Sequence, residues 1–104
     1  MKVSSSAPVL ALNPNYADGY ALLASLYVNA GQPEQALPLI RKALRLNPWG
    51  GYQYLLILGR TYYYLGRNEQ AAQVFERARV QNPTLTDVLV YLQAVYRRLG
   101  RHDD

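Results

Sequence analysis

The chain has 104 residues, half of them hydrophobic, and a formal net charge of +4; that suffices for one small domain with its own core. It contains no cysteine, which excludes a disulfide framework and thiolate chemistry and leaves the redox compartment open. The charge is too modest for a polybasic tail, though it suits an acidic partner.

No apolar run reaches the roughly 18 residues that a membrane-spanning helix needs, and we expect no membrane insertion. Met1 to Pro8 lacks the sustained apolar run of a secretory signal, so the expected location is the cytoplasm. Ten tyrosines stand against one Phe and one Trp. Tyrosine pairs a large apolar body with a polar tip and suits half-buried interfaces.

Residues 1 to 8 read as a loose lead-in. Val9-Leu10-Ala11-Leu12-Asn13-Pro14 follows and echoes later segments. Tyr20, Leu23, Ala24 and Tyr27 then fall at i, i+3, i+4 and i+7, one face of a helix, which Gly31 ends as a left-handed C-terminal glycine. Pro33 and Glu34 suit the first turn of a second helix. Ala36, Ile40, Ala43 and Leu44 form its buried face, and Asn47-Pro48 stops it, because proline disfavours helical conformation in the residue before it. Pro38 conflicts with this helix: an interior proline costs about 3 kcal/mol, so a loose first turn or a kink is expected. A third helix runs from about Tyr52 to Leu65 and a fourth from about Asn68, taken as its N-cap, to Gln81. A fifth runs from about Leu85 to Leu99, with Thr84 or Thr86 as cap. The tail from Gly100 through His102 reads as frayed.

The pattern repeats. Ala43-Leu44-Arg45-Leu46-Asn47-Pro48 echoes residues 9–14, and Ala78-Arg79-Val80-Gln81-Asn82-Pro83 follows more loosely. The Asn-Pro pairs lie 34 and 35 residues apart, and Gly31, Gly66 and Gly100, like Tyr27, Tyr62 and Tyr96, lie 35 and 34 apart. One period kept by separate landmarks marks a repeat array.

Leu58-Gly59-x₂-Tyr62, Ala71-x₃-Phe75 and Pro83, with Leu55 at the Trp position, resemble the tetratricopeptide pattern W-x₂-L-G-x₂-Y…A-x₃-F…P. The first period fits with Tyr20, Leu23-Ala24-x₂-Tyr27, Ala36-x₃-Ile40 and Pro48. A third begins with Leu89, Leu92-Gln93-x₂-Tyr96 and Gly100. The resemblance implies an all-α, right-handed superhelical solenoid of about five helices. Residues 1–14 would be the remnant of a preceding repeat end, 15–48 and 49–83 two full repeats, and 84–104 a half repeat. Small residues at Ala24 or Gly59 and at Ala36, Ala43, Ala71 and Ala78 let helices approach, while Tyr27, Tyr62 and Phe75 fill the gaps. Helix pairs of this kind cannot bury their faces alone and stack into one continuous core.

The resemblance also implies a concave face lined by the first helix of each pair. It would carry Asp18, Ala21, Leu22, Ser25, Val28 and Asn29; then Gln53, Leu56, Ile57, Arg60, Tyr63 and Tyr64; then Asp87, Val90, Tyr91, Ala94, Arg97 and Arg98. Tyr and Arg are frequent interface hot spots. The expected function is a scaffold that binds a peptide segment of a partner protein, acidic in character. The groove residues are Ser25, Asn29, Gln53, Leu56, Arg60, Tyr63, Tyr64, Asp87, Tyr91, Arg97 and Arg98. Arg60, Tyr63 and Tyr64 would be anchors, and Arg97 and Arg98 would hold a carboxylate. The alternative leaves both arginines solvated and Tyr63 and Tyr64 partly in the core. The Lys, Asn and Arg clamp of the family's chaperone-binding members is absent: Ala21, Ser25, Ile57, Asp87 and Tyr91 occupy those places.

Helical hairpins of this length also bind single-stranded RNA, and Tyr beside Arg would serve for stacking, but the modest charge and the family pattern speak against nucleic acid. Val88, Leu92, Val95 and Leu99 on the fifth helix would form an apolar stripe without a pairing helix, open to a second copy of the chain or, if the chain is a piece of a longer array, to the next helix. No catalytic set, metal site or cofactor motif is expected. His102 is alone, Glu34, Glu69 and Glu76 serve helix starts and solvated faces, and Gly50-Gly51 lacks the Lys and Ser/Thr of a phosphate loop. Trp49 reads as a cover over the inter-repeat turn, with ligand anchoring as the alternative.

Overall fold

The computed structural model describes residues 16–100. The lead-in, the Val9–Pro14 echo and the tail with His102 lie outside them. The described residues form five α-helices: α1 Tyr16–Asn29, α2 Pro33–Leu46, α3 Tyr52–Tyr64, α4 Asn68–Gln81 and α5 Thr86–Arg98. No strand occurs among them. Helix α1 packs on α2 and α3 on α4, while α3 also rests on α2 and α5 on α4. The leading helices α1, α3 and α5 touch in succession, so they share one face of the stack.

Local chemistry sets the boundaries. At the end of α1 the amide of Gln32 bonds the Tyr27 carbonyl at 2.8 Å and that of Gly31 bonds Val28 at 3.0 Å. At the end of α3, Arg67 bonds Tyr62 at 2.9 Å and Gly66 bonds Tyr63 at 3.1 Å. These are two copies of one Schellman motif, which needs a left-handed residue; Gly31 and Gly66 supply it with φ of 78° and 80°. The trailing helices stop differently. Asn47 and Asn82 are extended, with φ/ψ of −141°/79° and −144°/82°, as expected of residues that precede a proline.

The start signals are less faithful. Asn68 is the first residue of α4 rather than its cap; Arg67 stands at the cap without a side-chain bond. Leu85 takes that place for α5, and Thr84 turns its hydroxyl to Asn82 Oδ1 at 3.3 Å. Neither predicted threonine caps the helix. Helix α2 is continuous through Pro38. That side is exposed, so water can reach the Glu34 carbonyl that Pro38 has no N–H to bond.

One core runs through the stack. Ala24, Ala36, Ile40, Ala43, Ala71, Phe75 and Ala78 are fully buried. Each hairpin closes where a small residue of the leading helix meets a large one of the trailing helix. A Cβ on Gly59 would lie 2.5 Å from the Phe75 ring. In the first repeat the corresponding residues are Ala24 and Ile40, both fully buried.

The expected apolar stripe on α5 is not open. Val88, Leu92 and Val95 are buried, at 0%, 4% and 0% exposure, and Leu99 is partly buried against the core. In the repeat register Val88 and Val95 correspond to Tyr54 and Thr61 of α3, residues that also turn inward, and α5 turns them toward α4. Leu89 and Val90 are the exposed apolar residues of this helix. The stripe therefore gives no basis for a homodimer.

Candidate binding groove

A chain of side-chain contacts crosses the three leading helices. The Arg60 guanidinium donates to Asn29 Oδ1, joining α3 to α1. Four residues further along α3, the Tyr64 hydroxyl lies 3.4 Å from that of Tyr91 on α5. Tyr63 meets Tyr64 and Tyr91 edge to face, with centroids 5.1 and 5.6 Å away. Tyr91 stacks on the buried Phe75, centroids 5.2 Å apart and planes 9° from parallel. Arg98 covers the Tyr63 ring at 3.8 Å and donates to the Tyr63 carbonyl at 2.9 Å. Rings in such contact are each worth about 0.5–1.5 kcal/mol beyond area burial, so this end of the face is a braced platform.

Among the sequence-predicted site residues, the structure thus joins Asn29, Arg60, Tyr63, Tyr64, Tyr91 and Arg98. Ser25, Gln53, Leu56, Asp87 and Arg97 are outside this network. Leu56 packs partly against the core; Gln53, Asp87 and Arg97 are exposed. Arg98, expected to hold a carboxylate, is engaged by Tyr63 and by Asn68 Oδ1 at 3.5 Å. Ala21 and Val28 are buried.

Beside Arg60 lies an open cavity of about 450 Å³, lined by Val28, Asn29, Gly31, Pro33, Arg60 and Tyr64. Its walls come from the end of α1, the turn, the start of α2 and the C-terminal half of α3. Arg60 Nε is out of water and has no acceptor among the described residues. Such an N–H costs about 1–3 kcal/mol until it is paired. The bond to Tyr91, then partial burial, push the Tyr64 hydroxyl above its ordinary pKa, although Arg60 and Arg98 pull the other way. The hydroxyl is therefore a neutral donor or acceptor at neutral pH.

The sequence did not single out Gly31 and Pro33 as groove residues, because both read as helix punctuation. A second tie also went unseen: the Tyr54 hydroxyl donates to Asp18 Oδ1, linking α3 to α1. Burial and that bond raise the Tyr54 pKa. The two residues lie 36 apart, one more than the repeat. Trp49, expected to cover the inter-repeat turn, is 90% exposed; the turn is instead filled by Tyr54, whose ring would lie 2.5 Å from a Cβ on Gly50. Among the described residues there is no helix long and apolar enough to cross a membrane and no cluster of metal-ligating side chains.

Stacked helical hairpins with a shared, polar-tipped face define an α-helical repeat scaffold. A family model described as a tetratricopeptide repeat matches residues 21–86, and the chain belongs to that family, whose fold is typically a non-enzymatic one for protein interaction. A solved structure entitled "MamA D159K mutant 2" superposes with a TM-score of 0.76 at 26% identity. The match covers 97% of this chain and 57% of that one, so the chain spans little more than half of its structural neighbour. No curated protein matches it.

Proposed function

We propose that the shared face of α1, α3 and α5 holds a short segment of another protein and places a carboxylate or carbonyl oxygen of that segment against Arg60. The observation that carries this reading is the open cavity that Arg60 lines together with Asn29 and Tyr64. A ligand carboxylate in that cavity would be favoured by the guanidinium charge. Tyr64, half exposed at 51%, offers ring and hydroxyl to the same segment. Because Tyr63, Tyr91 and Arg98 already brace one another, little side-chain freedom remains to be lost on binding. The protein contributes binding energy and no chemistry of its own.

Single-stranded nucleic acid is a weaker fit. Phe75 occupies one face of Tyr91 and Arg98 one face of Tyr63, which removes surfaces on which bases would stack.

The double variant Arg60→Ala/Tyr64→Ala tests the proposal. Both side chains are on the surface side of α3, so the helical signal and thermal midpoint should stay near wild type. Partner binding, measured by calorimetry with the captured segment, should weaken at least about a hundredfold, the scale of a hot-spot pair. Unchanged affinity in a folded variant would reject the site.

A further inference from the structure

Charge on the trailing helices is sorted by end. The first halves of α2 and α4 carry Glu34 and Glu69 and no cation, whereas the second halves carry Arg41, Lys42, Arg45, Arg77 and Arg79 against Glu76 alone. In the repeat register Lys42 corresponds to Arg77 and Arg45 to Val80, so these four share one face of the trailing layer. Arg79 is tied to Glu76, Arg41 donates to the Tyr62 hydroxyl at 3.1 Å, and Lys42 stands over the Tyr20 ring, 5.1 Å from its centroid. Arg45 and Arg77 are exposed, and neither meets a carboxylate among the described residues. The helix dipole favours cations at this end, but it does not explain the apolar side chains that stand among them.

Three such side chains share that end of the stack. Trp49 is 90% and Val80 79% exposed, and Leu46 is exposed as well. Leu46 closes α2, Trp49 lies in the turn into α3, and Val80 is in the last turn of α4. The turn and the end of α4 are neighbours: a Cβ on Gly51 would lie 3.7 Å from Gln81 Oε1. The outward position of Trp49 is built into the turn. The Gly50 amide bonds the Asn47 carbonyl at 3.0 Å, Gly51 takes a φ of 84°, and the Tyr54 ring fills the space against Gly50. Tryptophan settles at the headgroup level of a bilayer, and each Lys or Arg near an anionic surface adds attraction. The acidic side chains at this end, Asp18 and Asp87, belong to the leading helices α1 and α5, and Asp18 is engaged by the Tyr54 hydroxyl. Trp49 and Val80 stand clear of their neighbours, so a fluid surface that closes around them suits better than a rigid partner with matching pockets.

We propose that this end of the trailing layer docks the protein on an anionic lipid surface, with Trp49 and Val80 in the headgroup region and Arg45 and Arg77 against lipid phosphates. Docking needs no spanning helix and leaves the leading-helix face open to a polypeptide. Trp49 is the only tryptophan of the chain, so its emission reports the contact directly. Vesicles of equimolar phosphatidylcholine and phosphatidylglycerol should shift that emission to the blue, and lipids brominated in the acyl chain should quench it. Vesicles of phosphatidylcholine alone should bind at least about tenfold more weakly, and high salt should weaken the mixed vesicles similarly. In flotation assays Trp49→Ala should lower partitioning at least about tenfold, and Arg45→Glu and Arg77→Glu each at least about fivefold, with circular dichroism unchanged. Arg67→Glu makes the same change of charge at the opposite end of the stack and should bind like wild type. Unshifted emission with the mixed vesicles would overturn the proposal, as would equal binding to phosphatidylcholine alone. A loss with Arg67→Glu that matches the loss with Arg77→Glu would do so as well. A shift with polyglutamate as large as that with vesicles would also overturn it, by assigning the patch to an acidic polypeptide.

Discussion

Gly59 and Phe75 set the spacing of the second hairpin. Helix propensity alone favours alanine over glycine by about 1 kcal/mol. Here the added methyl would push into a fully buried ring, and overpacking costs about 1–3 kcal/mol. Gly59→Ala should therefore lower the urea midpoint despite the better propensity. Pairing it with Phe75→Leu, which imitates the first repeat, should recover part of the loss. This exchange was only half legible in the sequence. The small-residue positions stood out by their period, but which large side chain each one faced required the packing. Glu76 is a second residue-scale case. Partial burial pushes its carboxyl up, yet the Tyr96 hydroxyl and the Arg79 guanidinium, which donates at 2.9 and 2.5 Å, outweigh that and hold it below its usual value. A depressed folded-state pKa gives a contribution that is present above the ordinary value, 4.5, and is lost as pH falls through the lowered one. Between pH 5 and 3 the wild-type urea midpoint should fall more steeply than that of Glu76→Gln.

At the scale of the element, the bounds of α5 are legible in the sequence but the neighbour of its apolar stripe is not. Periodic apolar positions, the glycines and the Asn-Pro stops place the end of α1 and both ends of α2 to α5 within a residue or two, because those signals are local. The stripe on α5 was assigned to empty space because one-dimensional periodicity marks an apolar face without saying which neighbour it meets. The structure points Val88, Leu92 and Val95 inward and leaves Leu89 and Val90 outside. Val95→Asp should accordingly strip α5 from α4, with loss of about one helix in far-UV circular dichroism and a large drop in thermal midpoint, since an unpaired charge in a core is severely destabilising. Leu89→Asp should leave both near wild type. The caps failed for a related reason: Asn68 and Thr84 have suitable side chains, yet no cap bond forms with them, and packing of the hairpins holds the helices without one.

For the molecule as a whole, the period of 34 to 35 residues revealed the architecture, since a repeat that recurs in several separate landmarks fixes stacking. The groove was readable to the extent that leading-helix positions could be counted. Counting places Arg60, Tyr63, Tyr64 and Tyr91 on the leading helices, where the three tyrosines contact one another. It did not find that Arg98 is spent on Tyr63, or that the α1–α2 turn walls a cavity beside Arg60, because both depend on how successive hairpins are rotated. The central claim is that this face binds a polypeptide segment through the Asn29–Arg60–Tyr64 wall. Its most direct test is amide and side-chain NMR mapping during titration with peptides selected on the wild-type chain from a random library. Shifts should concentrate on Asn29, Gly31, Arg60, Tyr64 and Tyr91 and vanish in Arg60→Ala/Tyr64→Ala. Shifts gathered around Trp49 and Val80, with the groove silent, would contradict the account.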